Sequence, residues 1–169
     1  REEFDGSAWA RIARSHLGGL PPEVDLKAEV ALGNVVRALS AADGPDGRPL
    51  VRAAHDLSNG GLVQALVDSA LRFGVGGVFD VASAARRDCV GDHEMLLSES
   101  QARAFVVVPE AAAALKAVFA AAEAEGVDAV RIGTTGGDML AISGVDLLAA
   151  EGEGCGWIAS IDELRELSE

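Results

Sequence analysis

Apolar residues recur along this chain in helical and in strand-like rhythms. Leu26, Val30, Leu32, Val35, Val36 and Leu39 form one stripe at helical spacing, with Asp25 placed to cap a helix over 26–42. From Leu62 the same spacing joins Leu62, Ala65, Leu66, Ser69 and Ala70 and runs out near Phe73-Gly74. Pro109, at a favoured first position, opens a third helix over 110–125; Ala114, Leu115, Val118, Phe119 and Ala122 share its face and Gly126 closes it. Shorter helices are predicted over 10–16, with Trp9, Ile12, Ala13 and His16 on one face and Ser7 as cap, and over 162–167. Strands are predicted over 50–54, 75–81, 104–108 and 129–133, and the β-branched 104–108 run is the clearest of them. The glycine-rich turn 134–138 into 139–142 suits a hairpin. Residues 20–25 read as an extended connector, 43–49 as a loop, 82–92 as polar and irregular with Arg86-Arg87 exposed, and 151–156 as a flexible link.

Strands alternating with helices in this order predict an α/β (α+β) fold, a mixed β-sheet packed with helices, in a single domain over 1–169. The composition changes that picture little. Nearly half of the 169 residues are apolar, enough for a sizeable core, and with Tyr absent the interior falls to Ala, Val and Leu. Charge excludes more. A net −13 argues against nucleic acid or an anionic membrane surface as the main partner, although local N–H groups can still hold a small anion. Cys89 and Cys155 form no CxxC pattern and fit a reducing, cytoplasmic setting, as buried fillers rather than a disulfide framework. No apolar run reaches membrane length, and the opening at Arg1 without Met suggests a piece of a longer protein.

The candidate chemistry sits where the 50–54 strand gives way to the helix at Leu62. There the chain reads His55-Asp56-Leu57-Ser58-Asn59-Gly60-Gly61. A helix start carries N–H groups without internal partners and a positive dipole end, so Ser58, Asn59, Gly60 and Gly61 are candidate phosphate ligands, with Ser58 or Asn59 as cap. The alternative is a capped helix whose glycines merely allow close packing. His55 and Asp56 suit acid–base work, or else the Asp ties down a turn while the His packs at a strand end. Glu99, ahead of the 104–108 strand, can accept a ligand hydrogen bond, bind a metal or anchor a loop. No metal site is expected from this chain alone, because Asp88, Asp92 and His93 lack ligand spacing, and His16 and His93 read as surface or packing residues. Thr134-Thr135-Gly136-Gly137 lacks the Lys of a P-loop and is read as the hairpin turn.

Three landmarks carry a resemblance. The 55–62 stretch resembles the HD-[VI]-S-x-GGL motif of the C-terminal domain shared by aminoimidazole ribonucleotide (AIR) synthetase and its relatives; 97–103, entering Phe105, resembles that family's F-[SG]-E-x-x-x-R segment; and Arg131-Ile132-Gly133 with Gly136-Gly137 resembles its closing pattern. Leu97 stands in place of the usual Phe, and Asn59 where Asp is common. Within the family, Gly6-Ser7-Ala8-Trp9, Pro21-Pro22 and Asp25-Leu26-Lys27-Ala28-Glu29 are most similar to the second copy of the domain in phosphoribosylformylglycinamidine synthases. The resemblance implies ATP-dependent amidation of a formylglycinamide ribonucleotide in purine synthesis. ATP and Mg²⁺ would be bound mainly by preceding domains, and ammonia would come from a glutaminase domain or subunit. It further implies that Ser58–Gly61 holds a phosphate of substrate or nucleotide, that His55, Asp56 and Glu99 support that loop, and that the chain alone is catalytically silent. Two alternatives stay open. One is a sister enzyme such as AIR synthetase itself, a selenophosphate synthetase or a thiamine-phosphate kinase; the other is a structural pseudo-dimer domain without ligand, with homodimerisation through an apolar sheet face.

Overall fold

The computed structural model describes residues 4–88, 91–143 and 156–168. Cys89, Cys155 and all of the predicted 151–156 link except Gly156 lie outside the described residues. In chain order the elements are α1 (Ala8–Arg14), α2 (Leu26–Ser40), β1 (Ala53–Asp56), α3 (Gly61–Phe73), β2 (Gly77–Asp80), α4 (Ala82–Asp88) and α5 (Asp92–Leu97). They continue with β3 (Ala104–Val107), α6 (Ala112–Ala124), β4 (Gly133–Thr135), β5 (Met139–Ser143), β6 (Trp157–Ser160) and α7 (Ile161–Ser168). Helices and a mixed sheet make the fold α/β, as its sequence pattern predicts.

The chain divides into two compact units. The smaller comprises Glu23–Leu57 and Gln101–Val130. Its two strands pair antiparallel, with Ala53 opposite Val107 and His55 opposite Phe105. Helix α2 begins where Asp25 accepts hydrogen bonds from the N–H groups of Lys27 and Ala28 at 2.9 and 3.1 Å. Its buried side is narrower than the sequence stripe. Val35 and Leu39 join Leu50 and Ala114 in the core, packed by Val106, Val108 and Val118, whereas Leu26 and Val30 are exposed. Helix α6 starts at Ala112 rather than at Pro109, because the carbonyl of Pro109 is taken first by a turn to the Ala111 N–H at 2.8 Å.

The larger unit comprises Arg1–Pro22, Ser58–Ser100 and Arg131–Glu169. Its sheet runs β4-β2-β5-β6, with β2 parallel to β5 and the other pairs antiparallel. The predicted hairpin of 129–133 with 139–142 is therefore wrong. Strand β2 lies between β4 and β5, because Gly76 binds both glycines of the expected turn: its N–H donates to Gly137, and its carbonyl accepts from the Gly136 N–H. The predicted irregular stretch also differs where it is described: residues 82–88 form α4, α5 begins at Asp92, and Asp80 caps α4 by accepting from the Ala82 N–H at 2.9 Å. One face of the sheet presents Phe79, Leu140, Ile142 and Ala159 to a core that also takes Leu62, Leu66, Met95, Leu96 and Leu164. The register puts Val78, Ala141 and Ile158 in one row on the opposite face, where Val78 and Ile158 are exposed.

Candidate functional site

The HDLSNGGL stretch is divided by the fold. His55 and Asp56 end β1 in the smaller unit, whereas Ser58, Asn59, Gly60 and Gly61 open α3 in the larger. The predicted strand ended at Ala54; the observed strand extends through Asp56. Ladder pairing to Phe105 and Ala104 holds both residues extended, and the Leu57 N–H continues it by donating to Arg103 at 2.9 Å.

His55 Nδ1 lies 2.6 Å from the Asp56 carbonyl oxygen, which can only accept. Nδ1–H is therefore the donor in this contact. The ring stacks on Phe105 with centroids 6.0 Å apart. The Asp56 carboxylate lies 3.7 Å from Nδ1 and is largely exposed.

The turn before α3 is built from backbone conformation rather than from a side-chain cap. Gly60, not Ser58 or Asn59, occupies the N-cap position, at φ 77°, and Gly61 follows at φ 68°. Both values lie in the left-handed region, which an L side chain enters at a cost of about 1–2 kcal/mol. The Gly61 N–H folds back onto the Ser58 carbonyl at 3.0 Å. Ser58 and Asn59 are exposed, Gly60 is partly buried and Gly61 is buried. The outer half of the turn is thus polar and accessible, and its inner half is packed.

Glu99 reaches this turn from the far side. Its Oε1 accepts the Gly60 N–H at 2.8 Å and, with the same oxygen, the N–H of Ala8 at 2.8 Å. Ala8 is the first residue of α1, whose cap Ser7 is buried and accepts from the Ala10 N–H at 3.1 Å. One carboxylate oxygen thus serves two helix starts, where negative charge is favoured. The flanking residues hold it in place: Ser98 and Ser100 are buried, with their hydroxyls 2.7 Å apart. Sequence reasoning singled out Glu99 but not Ala8, since a backbone donor leaves no residue-type signature. Thr134 and Thr135 lie in strand β4, and His16 follows α1 as an exposed residue. Among the described residues, no three His, Cys, Asp or Glu side chains gather as a metal-binding group. No helix among them is long and apolar enough to cross a membrane.

A helix-flanked mixed sheet carrying this glycine turn defines the class. Residues 2–143 match the family model described as AIR synthase related protein, C-terminal domain, and the chain belongs to that family. Within it, the chain is similar to phosphoribosylformylglycinamidine synthase subunit PurL from several bacteria. It is 45% identical to that of Nocardioides sp. over 144 residues, 85% of this chain and 17% of the relative. It is 46% identical to that of Leifsonia xyli over 136 residues, 80% of this chain and 16% of the relative. To the Renibacterium salmoninarum protein it is 52% identical over 109 residues, 64% of this chain and 13% of the relative. The chain thus spans about a sixth of the length of the first two relatives. A solved structure, T. maritima PurL complexed with ATP, aligns with a TM-score of 0.51 over 68% of this chain and 19% of that chain; at 19% identity this likeness shows the fold.

Proposed function

We propose that this chain serves as the C-terminal AIR-synthase-related part of a phosphoribosylformylglycinamidine synthase. Such an enzyme couples ATP cleavage to conversion of formylglycinamide ribonucleotide into its amidine, with ammonia from a glutaminase partner. The Ser58–Gly61 turn takes a phosphate of substrate or nucleotide, and the remaining ATP and Mg²⁺ machinery lies in other domains. The chain alone is catalytically silent. The observation that carries the reading is the double left-handed turn of Gly60 and Gly61, which leaves the polar Ser58 and Asn59 exposed at the start of a thirteen-residue helix. The similarity to PurL subunits supports the choice of enzyme.

The donor set fits a phosphate better than it fits a metal ion. Mg²⁺ needs oxygen ligands, and the Glu99 oxygen in this turn is already committed to two N–H groups. Two exposed side chains able to donate suit an anionic oxygen. One observation favours a second, purely structural reading: the Gly60 N–H, which a phosphate would seek, is already held by Glu99.

A chimera separates the two readings. This chain would replace the matched segment of the Nocardioides sp. subunit, and ammonia-dependent amidine formation would be measured with and without Ser58→Ala and Asn59→Ala together. Turnover in the parent chimera, with a raised KM in the double variant, is expected. A folded chimera without turnover would refute the enzyme assignment. Unchanged KM in an active double variant would refute the phosphate role.

A further inference from the structure

The Glu99 carboxylate reaches beyond the turn it was expected to support. We infer that Glu99 is a positioning residue that couples the N-terminal helix α1 to the Ser58–Gly61 turn, so that seating of α1 and the geometry of the turn rise and fall together. The phosphate consequence drawn below rests on the proposed function; the coupling itself does not.

Five observations carry it. The same oxygen, Oε1, is 2.8 Å from both the Ala8 and Gly60 nitrogens, so movement of the carboxylate toward one donor lengthens the other bond. These bonds span 91 and 39 residues, and they join two helix starts that share no strand or helix. The carboxylate cannot shift freely, because Ser98 and Ser100 on either side are buried and bonded to each other. The turn cannot yield either, because Gly61 packs directly on the 96–98 backbone that leads into Glu99. On the α1 side, the segment is held by local contacts: Phe4 on Trp9, Arg14 over the Trp9 ring, and Asp5 on the Leu20 N–H at 3.2 Å. The bond from the Ala8 N–H to Glu99 ties α1 to the turn side of this unit, and it is charge-assisted, hence stronger than a neutral bond.

The chemistry also sets how the charge acts. A carboxylate beside a phosphate subsite would repel its ligand unless its charge were absorbed. Two N–H donors and two helix dipole ends absorb it here. Gln in its place keeps an accepting oxygen and removes the charge; Ala removes both.

Amide hydrogen exchange by NMR on this chain tests the coupling, together with an ADP titration read at the same amides. Glu99→Ala should speed exchange at both Ala8 and Gly60 by about tenfold or more and weaken ADP binding, and Glu99→Gln should restore both. Ala8→Pro supplies the second route. Pro is accepted at a first helical position, and Ser7 already holds the extended conformation that precedes Pro. It deletes the Ala8 donor and expels Oε1 without touching the turn. Gly60 should then exchange at least several-fold faster. Gly60 exchange unchanged in Ala8→Pro, or Ala8 exchange unchanged in Glu99→Ala, would overturn the coupling. If the parent chain shows no ADP-induced shifts at 58–61, the phosphate reading falls while the exchange results still decide the coupling.

Discussion

Gly61 sits against the backbone of Leu96 so closely that a Cβ there would lie 2.6 Å from the Leu96 carbonyl oxygen and 2.8 Å from that of Ser98. Neither neighbour is a side chain that can swing away. The contact brings the end of α5 against the start of α3 and carries the chain on to Glu99, within reach of Gly60. The second glycine of the motif is thus a packing residue, whereas the first presents its N–H to a carboxylate.

Alanine at the two positions should therefore differ. Gly60→Ala would bring its Cβ 2.6 Å from the Gln64 Cβ, so a clash with one side-chain stem on α3 adds to the left-handed cost of about 1–2 kcal/mol. Gly61→Ala adds a backbone clash, for a total of roughly 2–5 kcal/mol. Urea denaturation of both variants gives the comparison. Equal losses would mean that the 96–98 backbone moves aside easily.

Glu163 and Ser160 form a reciprocal cap on α7. Glu163 Oε2 accepts the Ser160 N–H at 2.7 Å and its hydroxyl at 2.9 Å, while the Glu163 N–H donates to Ser160 Oγ at 3.1 Å. The backbone bond first, and the hydroxyl second, hold the Glu163 carboxyl below its usual value of 4.5. Since the folded value is the lower one, this contribution is complete above the unfolded value and fades as pH falls through the folded one. Ser160→Ala removes only the hydroxyl, so the Glu163 carboxyl should rise part of the way and stay depressed. A ¹³C carboxyl titration would show it; full return to 4.5 would assign the effect to the hydroxyl alone.

Asp46 tells the same story on the surface of the smaller unit. Its carboxyl is lowered from 3.8, first by the hydrogen bond from Arg52, with the Arg48 N–H helping at 3.3 Å. Arg52→Met should raise the Asp46 titration toward its ordinary value. The urea midpoint at pH 7 should hardly move, because an exposed pair is screened by water and salt. A large fall in the midpoint would show that the Arg52 stem packs the 43–49 loop.

What the sequence disclosed follows from the range of the interactions involved. Helices α2 and α3 were legible because their stripes are local, and Asp25 announced α2. The helical segments within 82–97 were hidden by short, Ala-rich patterns, although Asp80 as cap, Ala84-Ala85 and Met95-Leu96 were signals in plain residues. The cap of α3 was misplaced because Ser58 and Asn59 look like caps, while a left-handed glycine pair fills that role through backbone geometry. Glu99 was legible as a residue of interest. Its partners were not, since both are backbone N–H groups remote in sequence. The hairpin failed for the same reason: nothing local says that a strand some fifty residues upstream will pair on both sides.

That insertion leaves a testable mark at Gly133. A Cβ there would lie 2.1 Å from the Val78 carbonyl oxygen and within 2.8 Å of Phe79 Cα, so β4 lies against β2 with no room for a side chain. In the hairpin arrangement that β2 displaced, position 133 would face β5 and tolerate Ala. The observed order predicts instead that Gly133→Ala costs roughly 1–3 kcal/mol, by forcing the two strands apart at Phe79, a core residue. The loss should be local in its signature, with faster exchange at the amides of 77–80 and 133–135 and little change at 157–160, which pair on the other side of β5. Uniform acceleration across all four strands would mean that the sheet opens as one unit. An unchanged stability would place β4 away from β2 and overturn the strand order itself.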